Sequence, residues 1–154
     1  MKSPSFPDLE QRMRVRTECT GANLRRATRA VSRIYDETLA PAGLRGSQFS
    51  LLVALSFFKE GAPLLRVAEE LGLDRTTLTR NLQPLEREGL VASSPGKDQR
   101  VRLLRLTEAG QRALQRAYPL WEEAQATVVK ALGQRRWMTL LEGLGATRQL
   151  LAKE

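Results

Sequence analysis

The 154-residue sequence predicts a mainly α-helical fold that contains one β-hairpin. Apolar residues recur at helical spacing in successive segments, in the order helix, helix, helix, helix, hairpin, helix, helix. Aromatic residues make up only 5% of the chain, so leucine, valine and alanine must supply most of the core. Strand-like residues flank a single turn at residues 95–98, which predicts the hairpin.

The N-terminal part of the chain predicts one long helix followed by a shorter one. Apolar residues lie near 3.6-residue spacing over residues 9–40, with Gly21 as a candidate break, and Pro41 ends this stretch. Ser47 is placed to cap a second helix over residues 48–58, because a serine oxygen can accept from the first free N–H groups of a helix.

Two short helices separated by a glycine-containing turn follow. Pro63 suits the first position of a third helix over residues 64–71, and Gly72 is placed to end it in a left-handed conformation. Asp74 can cap a fourth helix that runs through about Arg87. Two helices joined by a short turn with glycine are typical of the helix-turn-helix motif.

The fourth helix has one apolar side and one polar side. At 100° per residue its leucines fall within about 60° of one another and must face the core; they are Leu78, Leu82 and Leu85. The opposite side is polar and consists of Thr76, Arg80, Gln83 and Arg87. A DNA-reading helix contacts base edges near its N-terminus, so short hydroxyls and arginines in the first turn favour that function; the first turn holds Arg75, Thr76 and Thr77.

A β-hairpin directly after this helix completes the predicted fold. Its strands cover residues 90–94 and 99–106, and Arg102 alternates with Val101 and Leu103 as in a half-exposed strand. The predicted fold class is therefore a winged helix-turn-helix, in which the hairpin forms the wing.

The last third of the chain predicts two further helices, which with the first helix form a dimerisation module. Thr107 caps the first of them, and Gly133 separates the two. Apolar residues on the outer helices exceed what one small domain can cover, and exposed apolar patches imply a partner. The predicted organisation is an N-terminal arm and dimerisation helix over residues 1–46, a DNA-binding lobe over 47–106 and C-terminal dimerisation helices over 107–154.

Charge and composition favour a nucleic-acid partner over catalysis. The chain has 25 lysines and arginines against 17 acidic residues, a net charge of +8. Arginine presents a planar fork of donors that matches phosphate and guanine edges. The chain has no histidine, which excludes Ser-His-Asp and Cys-His schemes and the usual catalytic zinc sites. We therefore expect no enzyme, no cofactor and no metal.

The segment EREGLVASSPGKDQRVRLLRLTEAG resembles the MarR family of winged-helix regulators. Its wing pattern, Asp-x-Arg followed by Leu-Thr-x-x-Gly, falls on Asp98, Arg100, Leu106, Thr107 and Gly110. Two positions depart from the family pattern: Ser93 replaces a frequent arginine, and Pro84 interrupts the recognition helix.

The resemblance implies a homodimer on pseudo-palindromic duplex DNA that represses transcription and is released by a small phenolic or amphipathic ligand. Arg100 would enter the minor groove at the wing tip, and Asp98 would orient an arginine and brace the wing. The predicted DNA-binding residues are Arg75, Thr76, Thr77, Arg80, Lys97, Arg100 and Arg102. The residues near the ligand would include Tyr35, Phe49, Tyr118 and Trp121.

Two alternatives share this fold. The first is a redox-sensing regulator that uses Cys19, the single cysteine; unchanged DNA binding after peroxide treatment would exclude it. The second is a protein-interaction adaptor that does not bind DNA. A lone cysteine, together with the lack of a secretory signal or membrane span, favours a cytoplasmic location.

Overall fold

The computed structural model describes residues 7–96, 98 and 100–151, which form two compact units that divide after Arg33. The first unit contains α1 and most of α2, and the second contains the remaining elements. In chain order, the elements are α1 (Leu9–Glu18), α2 (Thr20–Leu39), a 3-10 turn (Ala40–Ala42), α3 (Gly46–Ser56), β1 (Ala62–Pro63), α4 (Leu64–Leu71), α5 (Arg75–Arg87), β2 (Val91–Pro95), β3 (Arg102–Leu106), α6 (Glu108–Leu132) and α7 (Gln134–Leu151).

The long N-terminal helix is divided at Cys19, two residues before the predicted break at Gly21. Cys19 has φ −64° and ψ 106°, an extended conformation that ends α1, and Gly21 lies inside α2. Asn23 stabilises the junction, because its amide donates to the carbonyl oxygens of Thr17 and Cys19. The break is therefore held by a side chain from the next helix.

The predicted cap of α3 is wrong. Ser47 lies inside the helix, and the residue before the helix is Arg45. Asp36 Oδ1 accepts from the N–H of Gly46 at 2.8 Å, and Gln48 Oε1 accepts from the N–H of Arg45 at 2.9 Å. An aspartate ten residues upstream thus performs the capping that the sequence assigned to a neighbouring serine.

The helix-turn-helix forms as predicted. Helix α4 covers Leu64–Leu71, and Gly72 ends it with φ +63°, a left-handed conformation that glycine adopts without steric cost. Helix α5 begins after Asp74 and ends at Arg87, which confirms both predicted boundaries. Pro63 precedes α4 rather than occupying its first turn.

The wing belongs to a three-stranded antiparallel sheet of order β1-β3-β2. The hairpin strands pair from Val91 with Leu106 to Pro95 with Arg102. The sequence prediction missed β1, whose Ala62 pairs with Leu104. A two-residue strand between helices has no alternating pattern from which it could be predicted.

The core of the second unit is rich in leucine, as the composition predicts. Its largest fully buried side chains are Leu39, Leu51, Leu52, Leu55, Leu78, Leu82, Leu85, Leu104 and Val67. Residues from α3, α4, α5 and β3 thus meet in one cluster, which fixes the recognition helix against the base of the wing. Leu39 and Val128, two of the apolar residues on the outer helices, are already buried within the single chain and are not available for dimerisation.

Candidate DNA interface

Helix α5 is fixed by its apolar side and presents its polar side to solvent. Leu78, Leu82 and Leu85 are each 0% exposed and pack in the core. The four predicted DNA-binding residues that lie on α5 are all exposed; they are Arg75, Thr76, Thr77 and Arg80. The polar stripe continues along the exposed residues Gln83 and Arg87. The polar side is therefore available along the whole helix, as contact with a major groove requires.

Hydrogen bonds to Asp74 order the first turn of α5. Asp74 Oδ1 accepts from the N–H of Thr77 at 2.9 Å, and Asp74 Oδ2 accepts from the Thr77 hydroxyl at 2.7 Å. The Thr77 hydroxyl proton is thus engaged within the protein, so Thr77 can offer a base only an oxygen lone pair and a methyl group. The hydroxyl of Thr79 donates to the carbonyl oxygen of Arg75 at 2.8 Å.

The hydrogen bond from the Thr77 side chain, followed by that from its backbone N–H, lowers the pKa of Asp74 below its ordinary value of 3.8. Because the carboxylate is favoured in the folded state, its contribution to stability is complete above the ordinary pKa. The contribution is lost as the pH falls through the lowered pKa.

The Asp74→Ala variant is expected to unfold at a lower temperature than the wild type at pH 7, since α5 loses its N-terminal acceptor. The difference in melting temperature should shrink when both proteins are measured below the ordinary pKa of the carboxyl. Asp74→Asn is the control, because an amide oxygen still caps the helix without titrating. A difference between wild type and Asp74→Ala that is the same at all pH values would contradict this role of the carboxylate.

The wing turn is braced by the backbone and side chain of Asp98. Its side-chain Oδ1 accepts from the N–H of Arg100 at 3.0 Å, and its carbonyl oxygen accepts from the N–H of Val101 at 2.9 Å. The N–H of Gly96 donates to the carbonyl oxygen of Val101 at 2.7 Å and closes the turn. Asp98 therefore holds the main chain of Arg100, whose side chain is exposed at the tip. Lys97, also predicted to bind DNA, lies outside the described residues.

Arg102 lies on a different face of β3 from the one that the sequence predicted. Leu104 and Leu106 are buried, so every second residue of the strand, including Arg102, belongs to the inward face. Val101 and Leu103, which were expected to face the core, belong to the opposite face. Arg102 Nη2 lies 2.5 Å from Oε1 of Glu86 near the end of α5.

Three of the four aromatic residues predicted near a ligand pack together where α3 meets α6. Phe49 is 5% exposed, and its ring stacks on Trp121 with centroids 6.2 Å apart. The ring centroids of Tyr118 and Trp121 are 5.7 Å apart, and Tyr118 is half exposed. Tyr35 donates its hydroxyl proton to Oε1 of Gln125, and burial raises the pKa of this tyrosine. These contacts make Phe49 a core residue and leave Tyr118 open to solvent.

Other predicted features have the following positions in the described part of the chain. Cys19 is partly buried at the junction of α1 and α2, and its role in redox sensing stays a prediction. Among the described residues, no cluster of three or more His, Cys, Asp and Glu side chains offers a metal site. No helix of the described ranges is long and apolar enough to cross a membrane.

Solved structures provide the comparison with known proteins, since no protein-family model and no curated sequence matches the chain. The transcriptional regulator MosR of M. tuberculosis, solved in complex with DNA, is 37% identical and has a TM-score of 0.75 over 88% of this chain and 100% of its own. The transcriptional repressor CouR, solved on a 23-mer DNA duplex, is 28% identical, with a TM-score of 0.74 over 92% of this chain and 98% of its own.

CouR from Rhodococcus jostii RHA1 was also solved with p-coumaroyl-CoA, and that structure is 25% identical over 87% of this chain and 93% of its own, with a TM-score of 0.70. A MarR-family regulator from Rhodococcus sp. RHA1 is 23% identical over 96% of this chain and 99% of its own, with a TM-score of 0.72.

The fold and its exposed helix and hairpin define a winged helix-turn-helix protein. The chain belongs to the MarR family of transcriptional regulators.

Proposed function

We propose that this chain is a homodimeric transcriptional repressor that binds pseudo-palindromic duplex DNA. Helix α5 reads the major groove through Arg75, Thr76 and Arg80, and the wing enters the minor groove through Arg100. The observation that carries this proposal is the division of α5 into a fully buried leucine side and an exposed side of arginine and threonine. The DNA-bound structures of MosR and CouR support it.

Exposed apolar residues on the terminal helices support the association of two copies. Leu9, Met13 and Val15 of α1 are exposed, and so are Met138, Leu140, Leu141, Leu144, Leu150 and Leu151 of α7. Apolar surface of this extent on an otherwise charged chain favours a covering partner. In a twofold dimer the two recognition helices face successive major grooves, so a second copy also doubles the DNA contact.

We propose further that a small organic ligand regulates DNA binding and that the protein acts in the cytoplasm by binding rather than by catalysis. CouR has been solved both with DNA and with p-coumaroyl-CoA, an aromatic thioester. In this chain, the half-exposed Tyr118 beside Trp121 offers an aromatic surface for such a ligand. A thermal-shift screen of phenolic acids and their thioesters in which no compound stabilises the protein would count against this proposal.

Binding measured across salt concentrations tests the DNA-binding function. Each phosphate that a basic side chain neutralises steepens the salt dependence of log K by about one unit of slope. The wild type is expected to bind duplex DNA with a slope that reflects several such contacts, and Arg100→Ala should reduce that slope by about one. A dimer that binds duplex DNA at no salt concentration would favour the adaptor alternative over repression.

A further inference from the structure

An ion pair connects the wing to the recognition helix. Arg102 Nη2 of β3 lies 2.5 Å from Oε1 of Glu86 in α5, and the side chains are 41% exposed for Arg102 and 22% exposed for Glu86. The pairs Arg14–Glu18, Arg66–Glu69 and Glu108–Arg112 differ from it, because each lies within one helix and its side chains are more than half exposed. The Glu86–Arg102 pair thus joins two elements that are 16 residues apart and is better shielded from water.

The position of Arg102 in the hairpin explains why this contact matters. Arg102 faces Pro95 in the last pair of the ladder before the turn. The N–H of Thr107 donates to the carbonyl oxygen of Leu90, and the N–H of Gly96 donates to that of Val101, so hydrogen-bonded pairs alternate between these two. The Pro95–Arg102 pair is therefore a non-hydrogen-bonded one, which accommodates a proline without an N–H, and no ladder hydrogen bond joins Arg102 to the residue opposite it.

The inward face of β3 directs Arg102 toward α5. Leu104 and Leu106, two and four residues along, are buried in the core on the same face. At Arg102 this face passes the edge of the core, where the guanidinium meets Glu86 in the last turns of the recognition helix. The wing is held at its base by apolar packing and near its tip by this pair.

We propose that Glu86 and Arg102 are positioning residues that set the orientation of the wing against α5, and that Arg102 acts through Glu86 rather than by binding DNA. The inference rests on the proposed function, because one duplex can meet the helix and the wing together only when their relative orientation is fixed. A wing that moves freely would need to be ordered on binding, and this cost lowers affinity.

The proposal predicts an effect of opposite sign to that of simple electrostatics. Removing the charge of Glu86 brings one more net positive charge to a DNA-binding surface, and electrostatics alone would strengthen binding. We expect Glu86→Gln instead to weaken binding to the preferred DNA site about three- to tenfold, since the positioning contact is lost. Arg102→Ala should weaken binding to a similar extent, and the double variant should be no weaker than either single one.

Salt dependence and conservative replacements separate positioning from phosphate contact. Arg102→Ala should leave the salt slope unchanged, whereas Arg100→Ala should lower it by about one. Arg102→Lys, which can keep the ion pair, should bind nearly as the wild type does. Glu88→Gln is the matched control, because Glu88 is an exposed acid at the same end of α5. This variant should bind DNA with the affinity of the wild type. Tighter binding by Glu86→Gln, or a slope reduced by Arg102→Ala, would overturn the proposal.

A measurement without DNA distinguishes this proposal from the proposed function itself. Amide hydrogen exchange at residues 100–103 should be faster in Glu86→Gln than in the wild type and unchanged in Glu88→Gln. The charge-exchanged variant, Glu86→Arg with Arg102→Glu, should recover slow exchange. Equal exchange in wild type and Glu86→Gln would overturn the positioning role even if DNA binding fell. A wild type that binds no DNA would instead refute the repressor function, whatever the exchange rates show.

Discussion

Replacing Arg80 with alanine is expected to weaken binding to the preferred DNA site by about 1–3 kcal/mol, roughly 5- to 150-fold in affinity, and to relax the preference at one base pair in each half-site. Arg80 is exposed on α5, two residues after Leu78 and two before Leu82, which are both fully buried. The helix therefore cannot rotate to replace the lost contact. Affinity for the preferred site and for single-base variants of it measures the effect.

Arg87→Ala is the matched control for this prediction. Arg87 is also exposed on α5 but lies in its last turn, far from the N-terminal region where recognition helices contact bases. We expect its loss to leave the order of preference among DNA sites unchanged. If Arg80→Ala weakened all sequences equally, Arg80 would be a phosphate contact, and the proposed direct reading of a base by this residue would be wrong.

Replacing Gly110 with alanine is expected to destabilise the fold by about 2–3 kcal/mol, although alanine favours helices over glycine by about 1 kcal/mol. A Cβ at this position would lie 2.1 Å from the carbonyl oxygen of Leu90 and 2.6 Å from Cδ1 of Leu106. The Leu90 oxygen is held in place, since it accepts from the N–H of Thr107 at 3.1 Å, and the Thr107 hydroxyl donates to the neighbouring carbonyl oxygen of Gly89 at 2.7 Å. The start of α6 must therefore move away from the base of the wing.

Thermal unfolding measures this effect, and a melting temperature lower by about 4–12 °C is the expected result for a domain of this size. Gln111→Ala is the control, because the next residue of α6 is exposed. It should change the melting temperature little. An unchanged melting temperature in Gly110→Ala would show that α6 and the wing base do not approach as closely as the structure has them.

The sequence predicted the helix-turn-helix with its boundaries because the signals there are local. Gly72 adopts the left-handed conformation that its place after an apolar run predicts, and Asp74 caps the helix that begins one residue later. The leucines of α5 lie at helical spacing and are buried, as the periodicity predicts. Local chemistry and the tertiary fold agree in this segment, which is also the one that presents the candidate DNA-binding residues.

Predictions failed where a distant residue decides the local structure. The start of α3 is capped by Asp36 from another helix. Ser47 was predicted as the cap because it is the nearest hydroxyl residue in the sequence. Strand β1 exists because Ala62 and Pro63 pair with a strand some 40 residues later. Such long-range partners leave no trace in the spacing of neighbouring residues.

The two faces of β3 show a third reason for failure. Alternation in the sequence Val101-Arg102-Leu103-Leu104-Arg105-Leu106 is compatible with either face being inward, because leucines occur at both even and odd positions. The register with β2 and the burial of Leu104 decide it, and they place Arg102 beside Glu86. Likewise, Gly110 was identified only as part of the family pattern. A glycine is needed there because the carbonyl oxygen of Leu90 approaches closely, and this contact exists only in the folded chain.

Selection of bound duplexes from a random DNA pool tests the central claim most directly. If two copies present α5 and the wing to one duplex, the wild type should enrich an inverted repeat whose half-sites lie about 10–10.5 base pairs apart, centre to centre. Each half-site should extend from a major-groove element to a flanking minor-groove element. Enrichment of no common sequence, or of unpaired single half-sites, would contradict the paired helix-and-wing surface proposed for this protein.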